Sequence, residues 1–145
     1  MRLLLKTKVN QKLSIIHSKF NEELFIKLAP PLMNLKVERF DGCLKGHEVH
    51  LKMDLFGLMS SRWISLITSS VFNENEFTFI DEGTLIPPPL KKWTHTHRVE
   101  KINENSCWVI DDIEYSTNNK ILDNAIYPAL YSMFKLRSPI YKREL

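Results

Sequence analysis

Glycine is scarce in this chain, with four in 145 residues. Phosphate-cradling loops need several closely spaced glycines, so nucleotide-binding fingerprints are excluded. No Gly-x-Ser-x-Gly elbow occurs either. Cysteine is scarcer still. Cys43 and Cys107 have no CxxC partner and are expected to be free thiols in small strand positions. No apolar run approaches the roughly 20 residues a membrane helix needs. The opening Met1-Arg2-Leu3-Leu4-Leu5-Lys6 returns to charge after three apolar residues, too few for a signal-peptide core. A cytoplasmic protein without membrane insertion is expected. A dominant charge is missing as well. Twenty basic residues against seventeen acidic ones leave a net charge of +3. The basic residues are scattered, with Lys91-Lys92 and Lys142-Arg143 the only adjacent pairs. Nucleic-acid binding calls for a basic stripe, or a basic groove with stacking aromatics, and neither is present.

What is present is ordinary globular composition, 43% hydrophobic and 26% charged. A domain of this length buries about 68–70% of its unfolded surface, and residues 1–145 are read as one domain. Residues 3–9 alternate loosely, as a first strand. Residues 11–19 and 21–28 read as two short helices, with Leu13, Ile16 and Phe20, then Leu24, Phe25 and Leu28, at helical spacing. Asn21 is a suitable N-cap, Glu22 and Glu23 suit the first turn, and Pro30-Pro31 ends the pair.

From Leu35 the period becomes two. Leu35, Val37 and Arg39 alternate with Lys36 and Glu38, and Asp41-Gly42 and Gly46 supply a turn. His47, Val49, Leu51, Met53 and Leu55 share the apolar face of the next strand. Residues 62–70 and 76–82 follow as strands. Pro87-Pro88-Pro89 marks a rigid loop, because proline cannot donate to a ladder. Residues 92–101 and 107–116 complete the sheet. One helical pattern runs from Ile121 to the end, with an apolar stripe at Leu122, Ala125, Ile126, Ala129, Leu130, Met133 and Phe134. Pro128 either kinks that helix or sits in the first turn of a later start.

The fold class is therefore α+β: a curved antiparallel sheet of about seven strands, two short helices after strand 1, and a long C-terminal helix. A long helix laid across a curved sheet leaves a hollow, and hollows bind small molecules. Strand period assigns side chains to it. Thr94, Thr96, Arg98 and Glu100 point out, so Trp93, His95, His97 and Val99 point in. Asp112, Glu114 and Ser116 point out, so Val109, Asp111, Ile113 and Tyr115 point in. Phe77, Phe79 and Asp81 are inward on the strand before, and Arg39 and His47 fall on apolar faces.

Burying these polar groups unpaired costs about 2–7 kcal/mol each. They are expected to pair with one another, to face a wet cavity or to meet a polar group of a ligand. His95, His97 and Asp111 form the most suggestive set and support three readings: structural hydrogen bonding, ligand recognition, and general acid–base chemistry with a histidine. His-x-His on a strand also has metal-ligand spacing, with Asp111 or Asp81 as a third ligand. No metal or other cofactor is expected. His47-Glu48-Val49-His50 is not a zincin motif, because its histidines are three apart.

Several segments, in order, resemble a known superfamily. They are Leu28-Ala29-Pro30, the hairpin Phe40-Asp41-Gly42 with Gly46, Arg62-Trp63-Ile64-Ser65-Leu66-Ile67, and Phe79-Ile80-Asp81-Glu82. Trp93-Thr94-His95-Thr96-His97, Asp111-Asp112-Ile113-Glu114-Tyr115 and Met133-Phe134-Lys135-Leu136-Arg137 follow. Together the chain resembles the START-like (SRPBCC) superfamily, and within it the small bacterial ligand-binding proteins. The resemblance implies a helix-grip fold with a cavity between sheet and long helix. It implies no particular reaction, because the fold hosts carriers, receptors and enzymes. After Glu82, where relatives tend to carry Gln and then Gly-Pro, this chain has Gly83-Thr84-Leu85-Ile86 and three prolines. Ligand choice is not carried over.

The leading expectation is binding or carriage of a small hydrophobic or amphipathic molecule by a monomer or homodimer. Arg39, Trp63, Phe77, Phe79, Asp81, Trp93, His95, His97, Asp111, Tyr115, Ile126, Leu130 and Phe134 are the expected ligand-binding residues. The alternatives are a cyclase, dehydratase or hydrolase using His95, His97 and Asp111 on an aromatic or polyketide-like substrate, and a protein-interaction module using a sheet edge.

Overall fold

Seven strands form where the period is two. In the computed structural model, which describes residues 1–31, 33–55 and 59–145, they are β1 (Arg2–Val9), β2 (Met33–Phe40), β3 (Glu48–Leu55), β4 (Met59–Phe72), β5 (Glu76–Leu85), β6 (Lys92–Asn103) and β7 (Ser106–Ser116). The Leu55 side chain, expected to face inward, lies outside the described residues. The strands make one antiparallel sheet in the order β1-β7-β6-β5-β4-β3-β2. Pairing β1 with β7 places the first strand beside the last. Register shifts interrupt pairing between Val37 and Arg39, Ile64 and Ser65, Ile67 and Ser69, and Lys101 and Asn103. Each such irregularity bends its strand, so the sheet curves.

Helices α1 (Leu13–Lys19) and α2 (Glu22–Lys27) follow β1. Asn21 caps α2 as expected, its side chain accepting from Leu24 N at 3.1 Å. Helix α3 (Lys120–Lys135) is capped by Asn119 Oδ1, which accepts from Ile121 N at 2.9 Å and Leu122 N at 3.2 Å. Pro128 therefore lies inside the helix and not in the first turn of a later one. The terminal helical pattern is not continuous. It stops at Leu136, and α4 (Arg137–Glu144) begins beside it. Pro139 explains the division. It has no N–H for the Lys135 carbonyl, yet is tolerated in the first turn of a new helix.

Packing decides where the hollow lies. Helix α3 packs over β1 and β7, α4 over β1, α1 over β5 and β6, and α2 beside β2. The helices thus rest mainly on strands other than β3 and β4. Three hydrophobic clusters result. One joins α1, α2 and α4 to the sheet through Ile16, Leu24, Phe77, Phe79, Val99 and Tyr141. A second joins α3 to β1, β6 and β7 through Phe134, Leu3, Trp93 and Ile113. The third is the β3 row Val49, Leu51 and Met53, with Leu35 and Trp63 against it. The space between them is open.

Candidate functional site: an apolar cavity with a polar wall

The open space is a cavity of about 480 Å³, within the roughly 300–1,000 Å³ of small-molecule sites. One side is built by strand alternation: Met33 and Leu35 on β2, Val49, Leu51 and Met53 on β3, and Trp63 and Ser65 on β4. The opposite side comes from Leu130, Met133 and Phe134 of α3. Pro87, Pro88 and Leu90 border it from the β5–β6 loop, and Trp93 meets Trp63 edge-on with centroids 5.1 Å apart.

One wall is polar: Asp81 on β5, His95 and His97 on β6, and Arg137 at the start of α4. Asp111 on β7 sits behind them, 3% exposed. It lies opposite His97 in the ladder, and its side chain reaches diagonally to His95, with Nε2 and Oδ1 2.9 Å apart. An ionised carboxylate only accepts, so His95 Nε2 carries the shared hydrogen. Tyr141 OH donates to the same oxygen at 3.2 Å and Arg137 Nη1 at 3.4 Å. The Arg137 guanidinium lies over the Phe134 ring, 4.2 Å from its centroid. The His95 and His97 rings are 3.6 Å apart between centroids, and His97 stacks on Phe79 at 4.2 Å.

The two carboxyl groups are driven in opposite directions. Burial alone would raise the pKa of Asp111, but His95, Arg137 and Tyr141 together outweigh it, and the group is held below its ordinary range. Asp81 is raised. Burial is the main cause, and Ser65, His95 and Arg137 offset only part of it. His97 is lowered well below its ordinary value by burial first, then by the charges of His95 and Arg137. Burial also raises Tyr141, and it pushes the Cys43 thiol up to about 12, which makes that cysteine unreactive at neutral pH.

Trp63, Asp81, Trp93, His95 and His97 line the cavity, the last four from the inward faces that strand parity gave, and Leu130 and Phe134 line it from the apolar stripe of α3. Other expected lining residues lie elsewhere. Arg39 does not reach the cavity. The bulge after Val37 pairs Arg39 with His50 instead of Val49, so it turns to the outer face and binds Asp41 and Glu48. His47 lies in the turn before β3, where Nδ1 accepts from Leu44 N at 3.3 Å. Phe77 faces inward but sits beneath α1, near His17 and Phe20. Phe79 borders only a small side chamber of about 30 Å³ next to the main cavity. Tyr115 is buried at the far end of β7 and donates to the Asp123 carbonyl at 2.8 Å. Ile126 packs on the cluster beneath α3. Parity reports which face a side chain takes, not how far along the strand the cavity extends.

Arg137, Tyr141 and Ser65 were not among the expected site residues. A signal for each exists. Arg137 and Tyr141 continue the stripe of Leu130 and Phe134 at steps of three or four. Ser65 is two residues from Trp63, on the same face, and its Oγ accepts from Trp63 Nε1 at 2.9 Å.

His95, His97 and Asp111 present ligand atoms within 4.8 Å of one another. As arranged Asp111 serves both His95 and Arg137, and His97 stacks between His95 and Phe79. A zinc ion at about 2.0–2.2 Å from each would have to break the His95–Asp111 bond beside a fixed cation. The donor set therefore fits hydrogen bonding better than metal ligation.

A curved seven-stranded sheet with a C-terminal helix across it is a helix-grip fold. Solved structures with this architecture superpose on nearly the whole chain. Major latex-like protein 151 from Panax ginseng is 16% identical, with 100% of this chain and 97% of that one covered and a TM-score of 0.66. A protein from Arthrobacter aurescens is 10% identical over 98% and 86% of the two chains, with a TM-score of 0.70. The di-domain ARO/CYC BexL from the BE-7585A biosynthetic pathway is 12% identical over 99% of this chain and 46% of its own, with a TM-score of 0.61. No family model and no curated protein matches the sequence. The likeness establishes the fold. No described helix is long and apolar enough to cross a membrane.

Proposed function

We propose that the protein binds or carries a small hydrophobic or amphipathic molecule in this cavity, as a single START-like domain, monomeric or homodimeric, in the cytoplasm. The observation that supports the reading is the cavity itself. It has aliphatic and indole walls, and its ionisable groups, Asp81, His95, His97 and Arg137, share one side. Such a site gains affinity from buried apolar area and orientation from a few polar contacts.

Nile red, a neutral apolar dye, tests it. The dye is expected to bind with enhanced emission and to quench Trp63 and Trp93. Leu130→Trp fills the hollow from α3 and is expected to weaken binding at least about tenfold, or about 1.4 kcal/mol. The melting temperature should fall by no more than about 3 °C, since the added volume enters empty space. Undiminished binding in that variant would place the dye elsewhere and defeat the reading.

A second reading rests on the opposed Asp81 and Asp111 carboxyls beside a neutral His97. Groups pushed apart in this way can serve as acid and base. In that reading the domain is a cyclase, dehydratase or hydrolase acting on an aromatic or polyketide-like substrate, with His97 at the cavity surface as base. Asp111 would orient His95 beside it.

A further inference from the structure

We infer that the cavity selects an occupant whose polar end is an uncharged hydrogen-bond donor, such as a hydroxyl, received by Asp81, and that it rejects a carboxylate there. The inference rests on the cavity being a small-molecule site, as proposed above, and adds the chemistry of its occupant.

Asp81 is the carboxyl group of the wall, and one of its oxygens is left unserved. Its Oδ1 is sealed from solvent and receives no hydrogen bond from the described residues. Buried acceptors in folded proteins are nearly always paired, and an exception calls for a specific explanation. Asp111 makes the contrast. It accepts from His95, Tyr141 and Arg137 at a single oxygen, although it lies behind the wall and Asp81 lies on it. The protein has furnished the deeper carboxylate with three donors and left one oxygen of the carboxyl on the cavity wall without a described donor.

Charge then decides which partner fits. The polar groups around Asp81 are Ser65 on β4, His95 and His97 on β6, Cys43 before β3 and Arg137 on α4. Arg137 is the only full-time cation among them, and Asp111 already balances it. The Cys43 thiol stays uncharged and His97 stays neutral. An incoming carboxylate would thus meet a second carboxyl group on a buried part of the wall, and no free cation among the described residues. Burying such a charge without a partner is strongly unfavourable. A hydroxyl adds no charge and supplies a donor, whereas an ammonium would bring a second cation beside Arg137 to a carboxyl group whose ionised form burial disfavours. Ser65 Oγ accepts from Trp63, and its own hydrogen is directed to the Asp81 carboxyl.

Displacement of Nile red by decan-1-ol, decanoate and decylamine at neutral pH tests this. Decan-1-ol is expected to displace the dye at least about tenfold more tightly than either charged probe, a difference of about 1.4 kcal/mol. Asp81→Asn keeps an acceptor and adds an amide donor. It is expected to retain the alcohol and to narrow its advantage over decanoate to within about threefold, or roughly 0.7 kcal/mol. Asp81→Leu is expected to weaken the alcohol and spare decanoate, with thermal melts confirming that both variants fold. Decanoate or decylamine binding as tightly as the alcohol would overturn the inference. An unchanged alcohol-to-decanoate ratio in Asp81→Asn would do the same. If Nile red binds and no decyl probe displaces it, this inference falls while the cavity reading stands. If Nile red itself does not bind, the cavity reading falls first.

Discussion

Replacing Asp111 with alanine strikes the group that organises the polar wall. The carboxylate is 3% exposed and takes hydrogen bonds from His95 Nε2 at 2.9 Å, Tyr141 OH at 3.2 Å and Arg137 Nη1 at 3.4 Å. Alanine strands a guanidinium whose side chain is only 15% exposed. Breaking a buried ion pair from one side costs about 3–5 kcal/mol. Two orphaned donors would add about 1–3 kcal/mol each, were it not for water entering from the adjoining cavity. The expected loss is therefore about 3–5 kcal/mol. At roughly 2–4 °C per kcal/mol for a chain near this length, the melting temperature should drop by roughly 6–20 °C. Urea unfolding followed by far-UV circular dichroism, alongside calorimetry, measures both quantities. The double variant Asp111→Ala/Arg137→Met removes the stranded charge and keeps an apolar stem over Phe134. It should recover about 1–3 kcal/mol relative to the single variant. A loss under about 1 kcal/mol, or strictly additive single effects, would show that Asp111 and Arg137 are not coupled in the way their geometry requires.

His97 has a folded pKa far below its ordinary 6.5, because it is buried beside His95 and Arg137. The unfolded chain takes up a proton that the folded one refuses, so the His97 contribution is complete above about 6.5 and is lost as pH falls below it. His97→Gln should therefore lose less stability than wild type between about pH 6.5 and 5 in parallel urea titrations, and parallel curves would contradict the assignment. If the domain is an enzyme, incubation with aromatic polyketide-like substrates should give a product that disappears with His97→Ala. Identical product profiles would remove the catalytic reading.

Local pattern made much of this protein legible. Alternation at Trp93, His95 and Val99 identified the inner face of β6, and all three are buried. The Asn21 cap, the proline stop after α2 and the apolar stripe through Leu130 and Phe134 needed only neighbours within a turn or two. Arg39 shows where such reasoning fails. Its sequence alternates perfectly with Leu35 and Val37, yet a bulge formed with β3 reverses its face. That bulge belongs to a pairing between strands and leaves no period in the chain. The division at Leu136 was readable through Pro139 but is hidden by an apolar pattern that runs past it.

Sequence by itself therefore determined the strands, the helical segments and most inward faces, the Arg39 end of β2 and the division at Leu136 excepted, because those follow from covalent geometry and from where water is excluded. Tertiary structure decided the depth at which each inward residue sits. It put Phe77 beneath α1, Tyr115 at the far end of β7, and Trp63 and Asp81 at the cavity. It also decided that Asp111 would be enclosed by three donors while Asp81 Oδ1 received none from the described residues. Those outcomes depend on which helix rests on which strand. The packing of α3 and α4 over β1 and β7 carries Arg137 and Tyr141 to residues about 30 positions earlier in the chain, and no local period encodes contacts over that distance.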